Sequence, residues 1–202
     1  MLLGAALAAA TITLPSIAIS VNVAPAVPRP VVDAALNEAA AIWQRAGVTL
    51  VVADSSRSSG QQAVTPAVAL SVSFDAGEIT VENFMATIGW ITFDDRVPRP
   101  TIHLSHSNAV AMMRATYGDG GLSQMTLSQK ATCISRALGR ALAHEIGHYL
   151  LASKDHAPKG LMKARHFTGD LFGPNIGAFD LTATQRDAVV AHLADVRAFA
   201  RR

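Results

Sequence analysis

Two histidines four residues apart carry the clearest chemistry in this chain, in the run His144-Glu145-Ile146-Gly147-His148. On a helix, positions i and i+4 share one face a turn apart, so both imidazoles can reach a single cation. Imidazole nitrogen binds Zn²⁺ at about 2.0–2.1 Å. Glu145 points about 100° away from His144 around the helix, too far round to replace a histidine. It is placed to lean over a water on the metal, whose pKa the cation lowers to about 7, and to take its proton. The reaction this predicts is peptide-bond hydrolysis, with the metal polarising the carbonyl and Glu145 acting as general base and then acid. The competing explanation is an amphipathic helix whose polar stripe holds these three residues by accident.

A catalytic zinc takes three protein ligands and keeps one position open. The third ligand must come from outside the run, and no glutamate follows Glu145 anywhere in the chain. His156, eight residues after His148 and just past the expected helix end, is the preferred third ligand for one catalytic zinc. Asp155, His166 and Asp170 stand as its rivals.

The stretch 144–162, HEIGHYLLASKDHAPKGLM, resembles the zinc signature and methionine turn of the metzincin peptidases. The resemblance is specific over about 20 residues. It implies that His144 and His148 are zinc ligands and Glu145 the catalytic base. It also implies that Met162, in Gly160-Leu161-Met162, is the methionine whose thioether floors the metal site without binding it. Two positions depart from the family pattern H-E-x-x-H-x-x-G-x-x-H: Leu151 stands at its glycine and Lys154 at its third histidine. The sequence therefore reads H-E-x-x-H-x₇-H, and His156 is assigned from geometry alone. Without the glycine, the helix is expected to run about half a turn further and bend at residues 153–155. The tyrosine that follows the methionine in some branches is absent; Lys163 and Ala164 stand there.

The elements that must position these residues read as an α/β (α+β) layout. The resemblance makes it a zincin or metzincin-like fold: a twisted mixed sheet, an N-terminal helix, a central active-site helix, a Met-turn and a C-terminal helix. Residues 17–23 alternate apolar and polar as a half-buried strand does. Residues 31–46 place Val32, Leu36, Ala39, Trp43 and Ala46 at helical spacing, and Gly47 sits where a helix ends. The β-branched run 48–52 predicts a buried strand parallel to the first. Residues 54–66 are loop-like; 67–74, 88–93 and 101–104 are strand candidates; Asp119-Gly120-Gly121 reads as a turn. Thr126–x–x–Gln129 and Thr182–x–x–Gln185 have the form of capping boxes. The first opens a helix expected to reach about residue 152. The second opens a final helix with Val189, Leu193 and Val196 inward.

Other residues read blandly. His103 and His106 are expected on or beside a strand facing solvent, with a groove or a second metal as the sharper reading. His166 and His192 read as surface, Arg136 and Arg140 as solvent-exposed with the cleft edge as the sharper reading, and Cys133, Trp43 and Trp90 as core.

The chain has 202 residues, half of them hydrophobic and 16% charged, which suits one folded domain and argues against disorder. A formal charge of +2, with no cluster of Lys and Arg among aromatics, argues against a nucleic-acid partner. One cysteine excludes an internal disulfide and a cysteine-based zinc cluster. Residues 2–14 form an apolar run of signal-peptide length that lacks a basic flank, with small residues at 16, 18 and 20. Residues 1–20 are therefore expected to be a leader cut after Ala18 or Ser20, and 21–202 a single catalytic domain, secreted or periplasmic, with no stable membrane insertion. The expected partner is a protein or peptide substrate, and the expected activity that of a zinc endopeptidase. The alternative is a zinc-binding pseudo-peptidase or interaction module without turnover.

Overall fold

Residues 68–75 alternate in character, and in the computed structural model they alternate in burial. Strand β3 (Val68–Asp75) buries Val68, Leu70, Val72 and Phe74 and turns Ser71, Ser73 and Asp75 to a partly open face. The same period of two buries Ile17 and Ile19 of β1 (Ser16–Val23) and Ile102 and Leu104 of β5 (Val97–Ser105). The structure describes residues 16–53, 66, 68–77 and 87–200. The apolar run at 2–14 and all but the last residue of the 54–66 loop lie outside them.

With β2 (Thr49–Val52) and β4 (Gly89–Asp94) these strands form one five-stranded sheet in the order β2-β1-β3-β5-β4. Pairing is parallel except between β4 and β5, so the sheet is mixed and its antiparallel member is an edge strand. Helix α1 (Arg29–Arg45) links β1 to β2, the expected strand–helix–parallel strand unit, and Gly47 leaves it at φ +80°, but β2 is an exposed edge strand and not the buried one expected. The expected leader-cleavage positions, Ala18 and Ser20, lie inside β1, which pairs with β2 on one side and β3 on the other. A cut after Ala18 would take the fully buried Ile17 out of the sheet, and one after Ser20 would take Ile19 as well.

The chain then forms α2 (His106–Gln124), α3 (Leu127–Leu150), α4 (Thr168–Phe172), a 3-10 turn at Ile176–Phe179, and α5 (Ala183–Ala200). Helix α2 corrects the turn expected at Asp119-Gly120-Gly121. These residues are helical, and the break sits just before them at Gly118, whose φ of +61° kinks the element. The two capping boxes form as expected. Gln129 N–H donates to Thr126 Oγ1 and Thr126 N–H to Gln129 Oε1; Thr182 and Gln185 repeat the exchange. Such a cap contributes about 1 kcal/mol, and here it fixes the start of the helix that carries the site.

Helices α1 and α3 pack together at close range. A Cβ on Gly139 of α3 would lie 2.5 Å from the Ala35 carbonyl oxygen of α1. Trp43, fully buried, donates its indole N–H to the Ala143 carbonyl at 3.2 Å. One residue before the site, α1 is thus locked to the active helix through a large buried side chain, worth several kcal/mol on truncation. Arg140 corrects the expected surface position. It is 1% exposed, with Nε donating to Glu38 Oε1 at 2.8 Å, further bonds to the carbonyls of Asp170 and Leu171, and the Phe179 ring 4.8 Å away. Sequence spacing put Arg140 on the polar stripe; the approach of α1 and α4 buries that stripe. No helix among the described residues is long and apolar enough to cross a membrane.

Candidate metal centre

Around α3, Glu145 and Gly147 bound a sector of about 160° that holds His144 and His148. The packing follows these angles. A Cβ on Gly89 at the start of β4 would touch Ala141 and Glu145, whereas a Cβ on Gly147 would strike Met162 Sδ at 2.3 Å. The edge strand therefore flanks one side of the helix and the Met162 segment the other. A cleft of about 650 Å³ opens between them, lined by His144, Glu145, His148 and His156.

The ring nitrogens of His144, His148 and His156 lie within 4.8 Å of one another, the one group of at least three such residues among the described residues. Their orientation is set from behind. His144 Nδ1 faces the Leu161 carbonyl at 2.8 Å and His148 Nδ1 the Ser153 carbonyl at 2.7 Å. A carbonyl only accepts, so each Nδ1 carries the hydrogen and each neutral ring turns its Nε2 lone pair into the cleft. The two Nε2 atoms stand 3.0 Å apart. Two lone pairs at that distance repel unless a proton or a cation sits between them. Burial, the largest influence, holds the His144 pKa down at about 4, so a proton is not retained near neutrality. A tetrahedral zinc asks for ligand nitrogens about 3.3 Å apart, close to this spacing. The donor set thus fits a divalent, nitrogen-preferring metal.

Each backing carbonyl has its own local cause. Helix α3 ends in a Schellman motif: Ser153 N–H bonds to the His148 carbonyl at 3.3 Å and Ala152 N–H to the Tyr149 carbonyl at 3.2 Å. Ala152 supplies the left-handed residue at φ +46°, a conformation glycine adopts more cheaply. The expected extension and bend at 153–155 are therefore corrected. The helix stops at Leu150, the left-handed turn falls one residue after Leu151, and the same motif delivers the Ser153 carbonyl to His148. The Leu161 carbonyl belongs to a turn in which Gly160 has φ +75° and Leu161 N–H bonds to the Asp180 carbonyl at 3.2 Å. Asp180 is in turn gripped by Arg45 of α1 through two bonds of 2.7 Å.

Glu145 is 8% exposed, and burial pushes its carboxyl pKa up to about 7. A hydrogen bond from the Ile91 backbone on β4 works in the opposite direction and ties the carboxylate to the edge strand. It is the one carboxylate lining the cleft among the described residues. Met162 is 1% exposed beneath the helix, against the bare backbone of Gly147.

The rivals for the third ligand do not join the cluster. Asp155 and Asp170 are outside it, and the His166 ring centre lies 6.5 Å from that of His144. His166 is nevertheless no surface residue: it is half-buried in the cleft wall, stacked on Phe179 at 4.5 Å. His103 on β5 faces Asp75 at 3.3 Å and stacks on Trp90 at 4.9 Å, which makes Trp90 a half-buried open-face residue instead of core. Cys133 is buried, as expected. Missed by the sequence reading were the backing carbonyls of Ser153 and Leu161 and the Ile91 N–H, which carry no side-chain signature. The neighbouring Gly160-Leu161-Met162 turn was the available hint for one of them.

No family model matches this chain, and no curated protein matches it. Among solved structures it is similar to the archaemetzincin of Methanopyrus kandleri, at 9% sequence identity and a TM-score of 0.49, over 89% of this chain and 96% of that one.

Proposed function

We propose that this protein is a zinc-dependent peptidase of metzincin type, an endopeptidase. His144, His148 and His156 hold one zinc, Glu145 is the proton-transfer group, and Met162 is the apolar floor. The single observation that carries the reading is the convergence of three imidazoles, two of them tied from behind by carbonyls, beside one buried carboxyl in an open cleft. Zinc bound there would supply a Lewis acid that lowers the pKa of water and polarises a carbonyl.

The chain's own residues do the rest. Glu145, with its carboxyl pKa raised by burial to about 7, is matched to accept a proton from water near neutrality and return it to the leaving amine. The Ile91 backbone, beside that carboxylate, favours its ionised form against the effect of burial. Edge strand β4 offers backbone groups on the cleft side to an extended peptide, which is how strand addition positions a substrate. Met162 fills the space under Gly147 and keeps the helix backbone from shifting beneath the ligands.

A zinc-holding module without turnover would also use the three histidines. It would have no use for Glu145, whose burial beside the ligands costs stability whenever the group ionises. Zinc per chain by elemental analysis, with casein hydrolysis on the same samples, decides. About one zinc in wild type, its loss in His148→Ala and His156→Ala, and retained zinc without cutting in Glu145→Gln are expected. Retained metal and activity in His156→Ala would move the third ligand elsewhere, and a wild type without zinc would end the proposal.

A further inference from the structure

Three cations line the cleft, and none of them is in an ion pair among the described residues. Lys154 and Arg165 are exposed, Lys163 is half-buried, and all three line the cavity. The ion pairs of the described residues join Arg29, Arg45, Arg99, His103 and Arg140 to their acids and leave these three out. The fourth cation of the lining, Arg140, is paired with Glu38.

The cations are parked on aromatic rings. Lys154 Nζ lies 5.1 Å from the Phe93 ring centre at the β4 wall, and Lys163 Nζ lies 4.6 Å from the Phe167 ring centre on the Met162 side. A ring holds an ammonium in place without cancelling its charge, and exposed contacts of this kind are weak enough to yield to a carboxylate. Glu145, the only acid in the lining among the described residues, is sunk against the helix, so the rim presents positive charge on both walls.

We infer that the cleft selects acidic peptides. Lys154 receives a carboxylate side chain at the β4 wall, and Lys163 with Arg165 receives one at the facing wall, on either side of the bond being cut. This rests on the peptidase reading given above. Lys154 is also the residue standing where the metzincin pattern has its third histidine. The shift of that ligand to His156 thereby leaves a cation at the cleft edge.

The test uses two labelled peptides of equal length, with Glu or Gln flanking a common apolar centre. They are offered to wild type, Lys154→Glu, Lys163→Glu/Arg165→Glu and the neutral Lys154→Gln. Cleavage rate and fluorescence anisotropy are both read. The ratio of Glu to Gln peptide on one sample does not depend on the fraction folded. Rim ion pairs each contribute a few-fold, so a preference for the Glu peptide of about tenfold is expected at low salt. It should shrink as salt shortens the screening length, vanish in part in Lys154→Gln, and invert in the reversed variants. Equal cleavage of both peptides at low salt would overturn the inference and leave the peptidase reading standing. If neither is cut, the peptidase reading fails and anisotropy decides: tighter binding of the Glu peptide upholds the charge selection, and equal or absent binding overturns it.

Discussion

Two histidine constellations sit within one sheet-and-helix unit, and they differ in ways that define a metal site. His103 pairs with Asp75, which also accepts from Ser73 Oγ at 2.8 Å, and its ring lies flat on Trp90. Ser73, His103 and Trp90 lie in register across neighbouring strands, with Asp75 two residues further along β3, on the half-open face of the sheet. His103 thus has a carboxylate partner and a stacking surface, but no second imidazole converges on it. At the end of α3, by contrast, the ring hydrogens are drawn outward to carbonyls and the lone pairs are driven together. Satisfied polar groups make a stable strand face; polar groups left unsatisfied in a fixed direction make a binding site.

The sharpest separation comes from deleting one ring in each place. His148→Ala should lose zinc and fall to background peptidase activity, while His103→Ala should keep both, read by metal content and casein hydrolysis on matched samples. Next is Glu145→Gln, which should keep zinc and slow cleavage by about 10²–10⁴-fold.

The same variant has a signature in the metal-free protein. Glu145 is raised from 4.5 to about 7 by burial, so the folded chain holds this proton more tightly than the unfolded chain. Its contribution is therefore lost as pH rises from 4.5 through 7, by roughly 3 kcal/mol at pH 8. Glutamine cannot ionise, so denaturant melts of metal-free Glu145→Gln should show that gain at pH 8 and almost none near pH 4. His144 works the other way. Lowered from 6.5 to about 4, it contributes stability above 6.5 that is lost as pH falls through 4. Changing His103 to Gln should leave the alkaline gain of Glu145→Gln untouched.

Smaller effects probe the support beneath the site. Gly147→Ala drives a methyl toward Met162 Sδ and should cost about 1–3 kcal/mol in a thermal melt, with weaker zinc retention in competition with a chelator. The smallest is a gain. Ala152→Gly relieves a left-handed alanine in the Schellman turn and should stabilise by about 1 kcal/mol without changing zinc content.

Much of the positioning frame was legible because it is local. The capping boxes at Thr126 and Thr182, the alternation of β1 and β3, and the α1 stripe ending at Gly47 each follow from a few neighbouring residues, and each formed. Where local rules were weak, the reading slipped. Asp119-Gly120-Gly121 has turn composition yet continues α2, because the kink is taken up one residue earlier at Gly118.

Within the site, the spacing of His144, Glu145 and His148 determined which groups share a helix face, since 3.6 residues per turn leaves no freedom there. The absence of any later glutamate removed one kind of third ligand, and the sequence left His156 preferred over Asp155, His166 and Asp170. Only the tertiary structure decided the rest. It brought His156 back to the helix through a Schellman turn, aimed two rings with the carbonyls of Ser153 and Leu161, and buried Glu145 against Ile91. It also took Arg140 out of solvent while leaving Lys154, Lys163 and Arg165 at the rim. Those outcomes depend on backbone groups and on segments far apart in the chain, and neither leaves a mark in the spacing of side chains.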